Sequence, residues 1–212
     1  RMSDIRSGKF IKEIRESLNM VKEEELITKA EKRLLKKIEE DIKYFVSEDS
    51  DKNIRAAIDW AVKYNLTQQA YTLGQEYIIT LICNILIEKN PYKEEAPLHW
   101  EDLTSEEKKK EKKRKKEREK DFRLYISSIL SIDEKDIPNN FQRDLKVYKH
   151  MTEEILQLHW IKKVRKHFWT LSDNRNTLNH GKGDKSAEKI RDEFDIPYQA
   201  CIEILDAINH VN

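Results

Sequence analysis

Glycine and proline are scarce, with four of each in 212 residues. A chain so short of turn formers does not fold as a succession of hairpins, which excludes an all-β architecture. Cysteine is nearly absent too: Cys83 and Cys201 are the two present. They lack the paired spacings of zinc or redox sites and sit in apolar helical contexts, so two small core thiols and a cytoplasmic setting are expected. A transmembrane segment would need about 18 consecutive apolar residues. The longest apolar stretch, Tyr77 to Ile87, is interrupted by Thr80, Cys83 and Asn84, and no membrane partner is expected. An excess of one charge is also lacking, because 41 basic and 40 acidic side chains leave a net +1. Nucleic acid or anionic lipid would have to be held by a local patch. Finally, there is no Gly-rich nucleotide loop and no His, Asp and Glu cluster at ligand spacing, so neither metal nor cofactor is expected.

What fills the chain is Leu, Ile, Ala, Lys and Glu, with apolar and charged residues at 38% each. The apolar residues recur at helical spacing, which predicts amphipathic helices in one all-α domain over residues 1–212. Ile27, Ala30, Leu34, Ile38, Ile42 and Phe45 predict one long helix from Val21 to Val46 with a single buried stripe, broken at Ser47 to Ser50. Ile54, Ala57, Ile58, Ala61 and Val62 predict a shorter helix ending near Tyr64-Asn65. Leu66, Ala70, Leu73, Tyr77, Leu81 and Ile85 line the next, and the two read as a helical hairpin. Pro91 and Pro97 end that run, and Thr104-Ser105-Glu106-Glu107 fits a capping box.

The stretch from Lys108 to Lys120 holds ten basic residues, three acidic ones and no apolar one, a net +7. With no face to bury, it projects as a helix or is disordered. It either grips an RNA backbone in a salt-dependent way or is simply a solvated helix. Apolar spacing resumes at Phe122, Tyr125, Ile126, Ile129 and Leu130. After Ile137-Pro138 one long helix is predicted to carry Leu145, Tyr148, Ile155, Leu158, Ile161, Phe168 and Leu171. A short helix near Ser186 to Phe194 and a terminal one with Pro197 in its first turn complete the chain, with Cys201, Ile202, Leu205 and Ile208 facing the core.

Polar residues crowd the segment Leu171 to Gly183, which interrupts an otherwise regular pattern. Within it, Arg175-Asn176-Thr177-Leu178-Asn179-His180 supplies a permanent cation that can fork two phosphate oxygens, an amide that can orient, and an imidazole that titrates near neutrality. Those parts suffice for RNA cleavage through attack of the ribose 2′-hydroxyl on its own phosphodiester. His180 would move protons and Arg175 would hold the phosphorane charge. On an ideal helix, a separation of five residues turns the Cβ vectors about 140° apart. The backbone therefore bends here, or two chains build a shared site, and both effects together are expected. Gly181 and Gly183 fit a helix end just after His180.

The Arg-Asn-x-x-x-His run resembles the motif of the HEPN ribonucleases. The segments Ala57-Ile58-Asp59-Trp60-Ala61-Val62 and Leu66-Thr67-Gln68-Gln69-Ala70-Tyr71-Thr72-Leu73, with Glu76, resemble the helical region of CRISPR-associated CARF-HEPN proteins of type III systems. The resemblance covers about a quarter of the chain, and residues 91–140 find no counterpart in it. It implies a helical bundle of HEPN type with a charged helical insertion at about 91–121. It further implies a cytoplasmic homodimer that cuts single-stranded RNA without metal, in antiviral defence. In that family an N-terminal CARF domain binds a cyclic oligoadenylate messenger. No strand-helix alternation precedes Phe10, so the chain is expected to be a HEPN domain cut out or evolved free of such a sensor. The expected catalytic residues are Arg175, His180 and Asn176, with Asn179 and Lys182 contacting substrate. Gln68, Gln69 and Trp60 are expected to pack rather than react. His159, Trp160, His167 and Trp169 lead into the motif and either pack or stack bases. Replacing Arg175 or His180 is expected to leave thermal stability nearly unchanged. Two other readings stay open: a non-catalytic helical dimerisation or partner-binding module, and a stand-alone HEPN toxin held by an antitoxin.

Overall fold

The computed structural model of the chain describes residues 2–24, 27–89, 104–131, 149–181 and 185–209. Ten α-helices and no strand occur among the described residues. They are α1 (Met2–Arg6), α2 (Lys9–Lys22), α3 (Lys29–Ile42), α4 (Asp51–Lys63), α5 (Thr67–Lys89), α6 (Ser105–Ser131), α7 (Lys149–Gln157), α8 (His159–His180), α9 (Ala187–Asp192) and α10 (Asp195–Asn209). The all-α class follows from the composition, since little in the chain favours a turn over a further helical residue. Two compact units result: Arg1–Gly74 with Ala187–Arg191, and Gln75–Ser186 with Asp192–Asn212.

In the first unit α1 contacts α2 and α4, and α2 contacts α3. Gly8 makes the turn into α2 at φ 66°, and a Cβ there would lie 2.4 Å from the Val46 carbonyl oxygen. Both the left-handed backbone and the close approach therefore require glycine. Beside it, Asn53 is wholly buried. Its Oδ1 accepts the Val46 N–H at 2.7 Å, and its Nδ2 donates to the carbonyls of Arg6 at 3.0 Å and Glu48 at 2.9 Å. One side chain thus ties the end of α1 to the connection before α4. At the close of α4, Asn65 adopts φ 55°. The Asn65 N–H bonds to Val62 O at 3.0 Å and the Leu66 N–H to Ala61 O at 2.8 Å, a Schellman arrangement that turns the chain into α5. The turn expected near Tyr64-Asn65 is made by Asn in the usual place of Gly. The hydroxyl of buried Tyr71 donates to the Ile190 carbonyl at 2.7 Å and holds α9 in this unit.

The predicted long helix from Val21 to Val46 is not continuous. α2 ends at Lys22, and α3 starts afresh from Thr28, which with Glu31 forms a complete capping box. No residue of α3 is buried, and Leu34 is 58% exposed, so its apolar positions form a half-open stripe. The spacing foretold one face but not how little would cover it. The break at Ser47 to Ser50 is present, and Arg15 reaches from α2 to the Phe45 carbonyl at 2.6 Å, placing a cation at the end of α3.

In the second unit α8 contacts α6, α7 and α10. Ile161, Val164, Phe168 and Leu171 form its buried stripe. Past the division of the chain, α5 buries more than the single predicted stripe. Ile78, Ile79, Leu81, Ile82, Cys83, Ile85 and Leu86 are all buried, as befits a helix apolar around most of its circumference. Thr67–Ile87 has the length and mean hydropathy, 1.3, of a membrane-crossing segment, and 67% of that window is buried inside the protein, as in a core helix. The one long helix predicted after Pro138 is two among the described residues. It breaks at Leu158, whose ψ of 118° leaves the helical region with no Gly or Pro to announce it. The predicted ends at Pro91, Pro97 and Ile137-Pro138, together with Leu145 and Tyr148, lie outside the described residues. Thr104 caps α6 as expected. Its N–H donates to Glu107 Oε2 at 2.8 Å, and its Oγ1 accepts the Glu107 N–H at 3.3 Å.

Two outcomes follow from this packing. Asn53→Ala strips three part-buried backbone groups of their partner and is expected to cost about 1–3 kcal/mol in urea unfolding. Burial pushes both the Cys83 and Cys201 thiols up to about 12. The thiolate is then scarce at neutral pH, so neither is expected to react with an aromatic disulfide reagent until the protein is denatured.

Candidate functional site

The Arg-Asn-x-x-x-His segment forms the closing turns of α8. The helix runs unbroken to His180 and ends at Gly181, whose φ of 59° and N–H bond to Thr177 O at 2.9 Å make a left-handed cap. A Cβ at Gly181 would meet nothing within 4 Å, so backbone conformation alone calls for glycine there. The helix end is where the sequence placed it, whereas the expected bend between Arg175 and His180 is absent. Along a straight helix the two Cβ vectors diverge by about 140° and by about 7.5 Å of rise, so the two side chains leave the helix in different directions.

Burial divides the segment further. Asn176, Asn179 and His180 are exposed, and Arg175 is half-buried. Around the axis the order is Arg175, Asn179, Asn176, His180, one continuous arc with Arg175 at its inner margin. Trp169 stands within about 20° of both Asn176 and His180 on the same face. It is 54% exposed, which removes core packing as its role. Lys182 lies outside the described residues, as does Gly183.

Arg175 is held from behind. Its Nη1 donates to Gln75 Oε1 at 2.9 Å, across 100 positions of sequence. Gln75 is only 3% exposed. Arg175 Nε and Gln75 Nε2 are both buried donors without a protein acceptor. Both atoms can only donate, so either would be satisfied by an acceptor, such as an anionic oxygen. Next along α5, Glu76 does not join them. It pairs with Arg123 at 2.7 Å, and Arg123 also donates to Thr80 Oγ1 at 2.8 Å.

A second polar cluster supports the same turn. Asn174 is fully buried. Its Nδ2 donates to Glu193 at 3.1 Å, and its Oδ1 accepts from Lys185 at 2.8 Å, while Lys185 and Glu193 pair at 2.9 Å. Sequence reasoning missed Gln75 and Asn174. Only the buried register of Gln75 between Tyr71 and Ile78 hinted that its amide would need a partner. Gln68 and Gln69 are exposed, and Trp60 is 40% exposed with its ring 5.0 Å from that of Tyr64, a packing contact of the kind expected of it.

No family model, curated protein or solved structure matches the chain. No group of three or more His, Cys, Asp and Glu that could hold a metal occurs among the described residues.

The clamp on Arg175 has a measurable cost if half of it is removed. Gln75→Leu leaves a guanidinium N–H buried without its acceptor and is expected to destabilise by about 1–3 kcal/mol in urea unfolding. Adding Arg175→Met in the same chain should recover most of that loss, because an apolar pair leaves no donor stranded.

Proposed function

We propose that the chain is a metal-independent endoribonuclease of HEPN type that cuts single-stranded RNA, leaving a 2′,3′-cyclic phosphate and a 5′-hydroxyl. The observation that carries this reading is the pairing of a buried clamp with an exposed arc. Gln75 fixes Arg175 from inside the fold, while Asn176 and His180 stand open on the outside of the same helix end. An arginine whose geometry is set before substrate arrives needs little reorganisation to meet developing negative charge.

In this mechanism the ribose 2′-hydroxyl attacks the adjacent phosphorus. Imidazole takes the hydroxyl proton, Arg175 neutralises the phosphorane oxygens, and an imidazolium returns a proton to the departing 5′-oxygen. Asn176 orients the imidazole or the phosphate, and Asn179 and Lys182 contact the strand. The 140° divergence of Arg175 and His180 is the reason for a homodimer: across a twofold axis, Arg175 of one protomer meets the partner's His180. The resemblance adds a cytoplasmic role in antiviral defence of CRISPR type, with activation by a cyclic oligoadenylate bound to a separate or removed sensor domain.

Cleavage of a fluorophore-quencher single-stranded RNA in EDTA tests this. His180→Ala is expected to lose at least about 100-fold in rate with an unchanged melting temperature, since its side chain is exposed. Arg175→Ala should lose activity comparably and also melt lower, contrary to the expectation from sequence, because Gln75 loses its donor. Mixing the two inactive variants should restore part of the activity, since a mixed pair retains one Arg175 and one His180. Equal cleavage by wild type and His180→Ala would exclude this site.

A further inference from the structure

Helix α6 carries its N-terminal half outside any core. Of the residues from Ser105 to Asp121 whose exposure is described, none is buried, and the first buried side chains are Tyr125 and Ile126. The run of Lys108 to Lys120 is helical and continuous with that anchored half. Its charge is not spread evenly around the axis. Lys109, Lys112, Lys113, Lys116 and Lys120 follow one another at helical spacing within an arc of about 100°. All five are exposed. No acidic position of the run falls inside that arc. At its margin Lys113 stands 3.9 Å from Glu117, an exposed pair of little energetic weight. The buried residues Tyr125, Ile126, Ile129 and Leu130 centre about 120° from the middle of the lysine arc, so Lys109, Lys113, Lys116 and Lys120 point away from the buried side, while Lys112 shares the azimuth of Leu130 on the part of the helix that has no core.

Three other uses of such a helix fail on its composition. A coiled coil needs an apolar seam, and no apolar residue lies between Lys108 and Lys120. An interfacial membrane helix needs an apolar face to insert, which is equally lacking. A helix stabilised by its own salt bridges would balance its signs, whereas this one carries ten basic residues against three acidic. A row of five cations spread over about 16.5 Å of helix axis suits a row of phosphates.

We propose that the lysine face of α6 is a binding surface for the phosphate backbone of single-stranded RNA, separate from the Arg175 and His180 site and without base preference. It rests on the nuclease reading only for the choice of RNA as the strand. Five lysines neutralising five phosphates release counterions, so binding should fall steeply with salt. The slope of log affinity against log salt attributable to them is about −3.5.

The test is fluorescence anisotropy of the full chain with a 2′-O-methyl RNA, which lacks the attacking hydroxyl and is not cut, over a salt series. Replacing Lys109, Lys112, Lys113, Lys116 and Lys120 together by Gln is expected to weaken binding at least about 10-fold at low salt and to flatten the slope by about 3. Replacing the same five by Arg should keep both, which separates charge from any effect on folding. If RNA is bound in this way but never cleaved, the surface stands and the nuclease reading falls. Affinity and slope unchanged in the Gln variant, or wild-type binding to phosphatidylserine vesicles with none to RNA, would overturn the surface itself.

Discussion

An amide buried in an apolar helix must find a partner, and that requirement organises the second unit. Helix α5 is apolar around most of its circumference from Tyr77 onward, and Gln75 enters that environment almost completely enclosed. Its oxygen is met by Arg175. The bond, together with the buried stripe Ile161, Val164, Phe168 and Leu171, sets the rotation of α8 about its own axis. Once that rotation is set, Asn176, Asn179, His180 and Trp169 have no choice but to face outward. Asn174, one residue before Arg175, is locked from another side by Lys185 and Glu193. The polar residues that crowd the sequence here therefore divide: Asn174 and Arg175 hold the helix end in place, and Asn176 and His180 stand exposed.

Regularity of the helix carries as much consequence as its position. A bend would have let one chain gather its own Arg175 and His180. An unbroken helix, capped only at Gly181, keeps them on different sides of one arc. Asn176 and His180 therefore stand on the exposed part of that arc, and Arg175 at its half-buried margin. The clamp by Gln75 adds preorganisation to the inner member of the pair, where a flexible arginine would have to be ordered anew on each encounter.

Charge is segregated in the same economical way. The net +1 of the whole chain conceals a helix that changes character at Phe122. Beyond it α6 buries Tyr125, Ile126, Ile129 and Leu130. Before it the helix offers lysine to solvent. Anchoring one half rigidly allows the other to project without a core of its own, at the modest cost that lysines and glutamates incur as good helix formers.

Much of this architecture could be read from residue order because helix formation is local. The capping box at Thr104, the turn at Asn65, the stop at Gly181 and the apolar periodicity of α4, α8 and α10 each depend on neighbours within a few positions. Thr28 and Glu31 were equally legible as a start signal, but the periodicity running across them suggested one helix where there are two. The break at Leu158 carries no local mark at all. What the residue order determined by itself was the all-α class, the helical character of the basic run as one of two options, and the clustering of Arg175, Asn176 and His180 at a helix end. Tertiary structure alone decided which of those residues is buried, that Gln75 holds Arg175, that α3 stays half uncovered and that five lysines share an open face. Burial and long-range hydrogen bonds join residues 100 and more positions apart, and no local pattern encodes which distant surface a helix will meet.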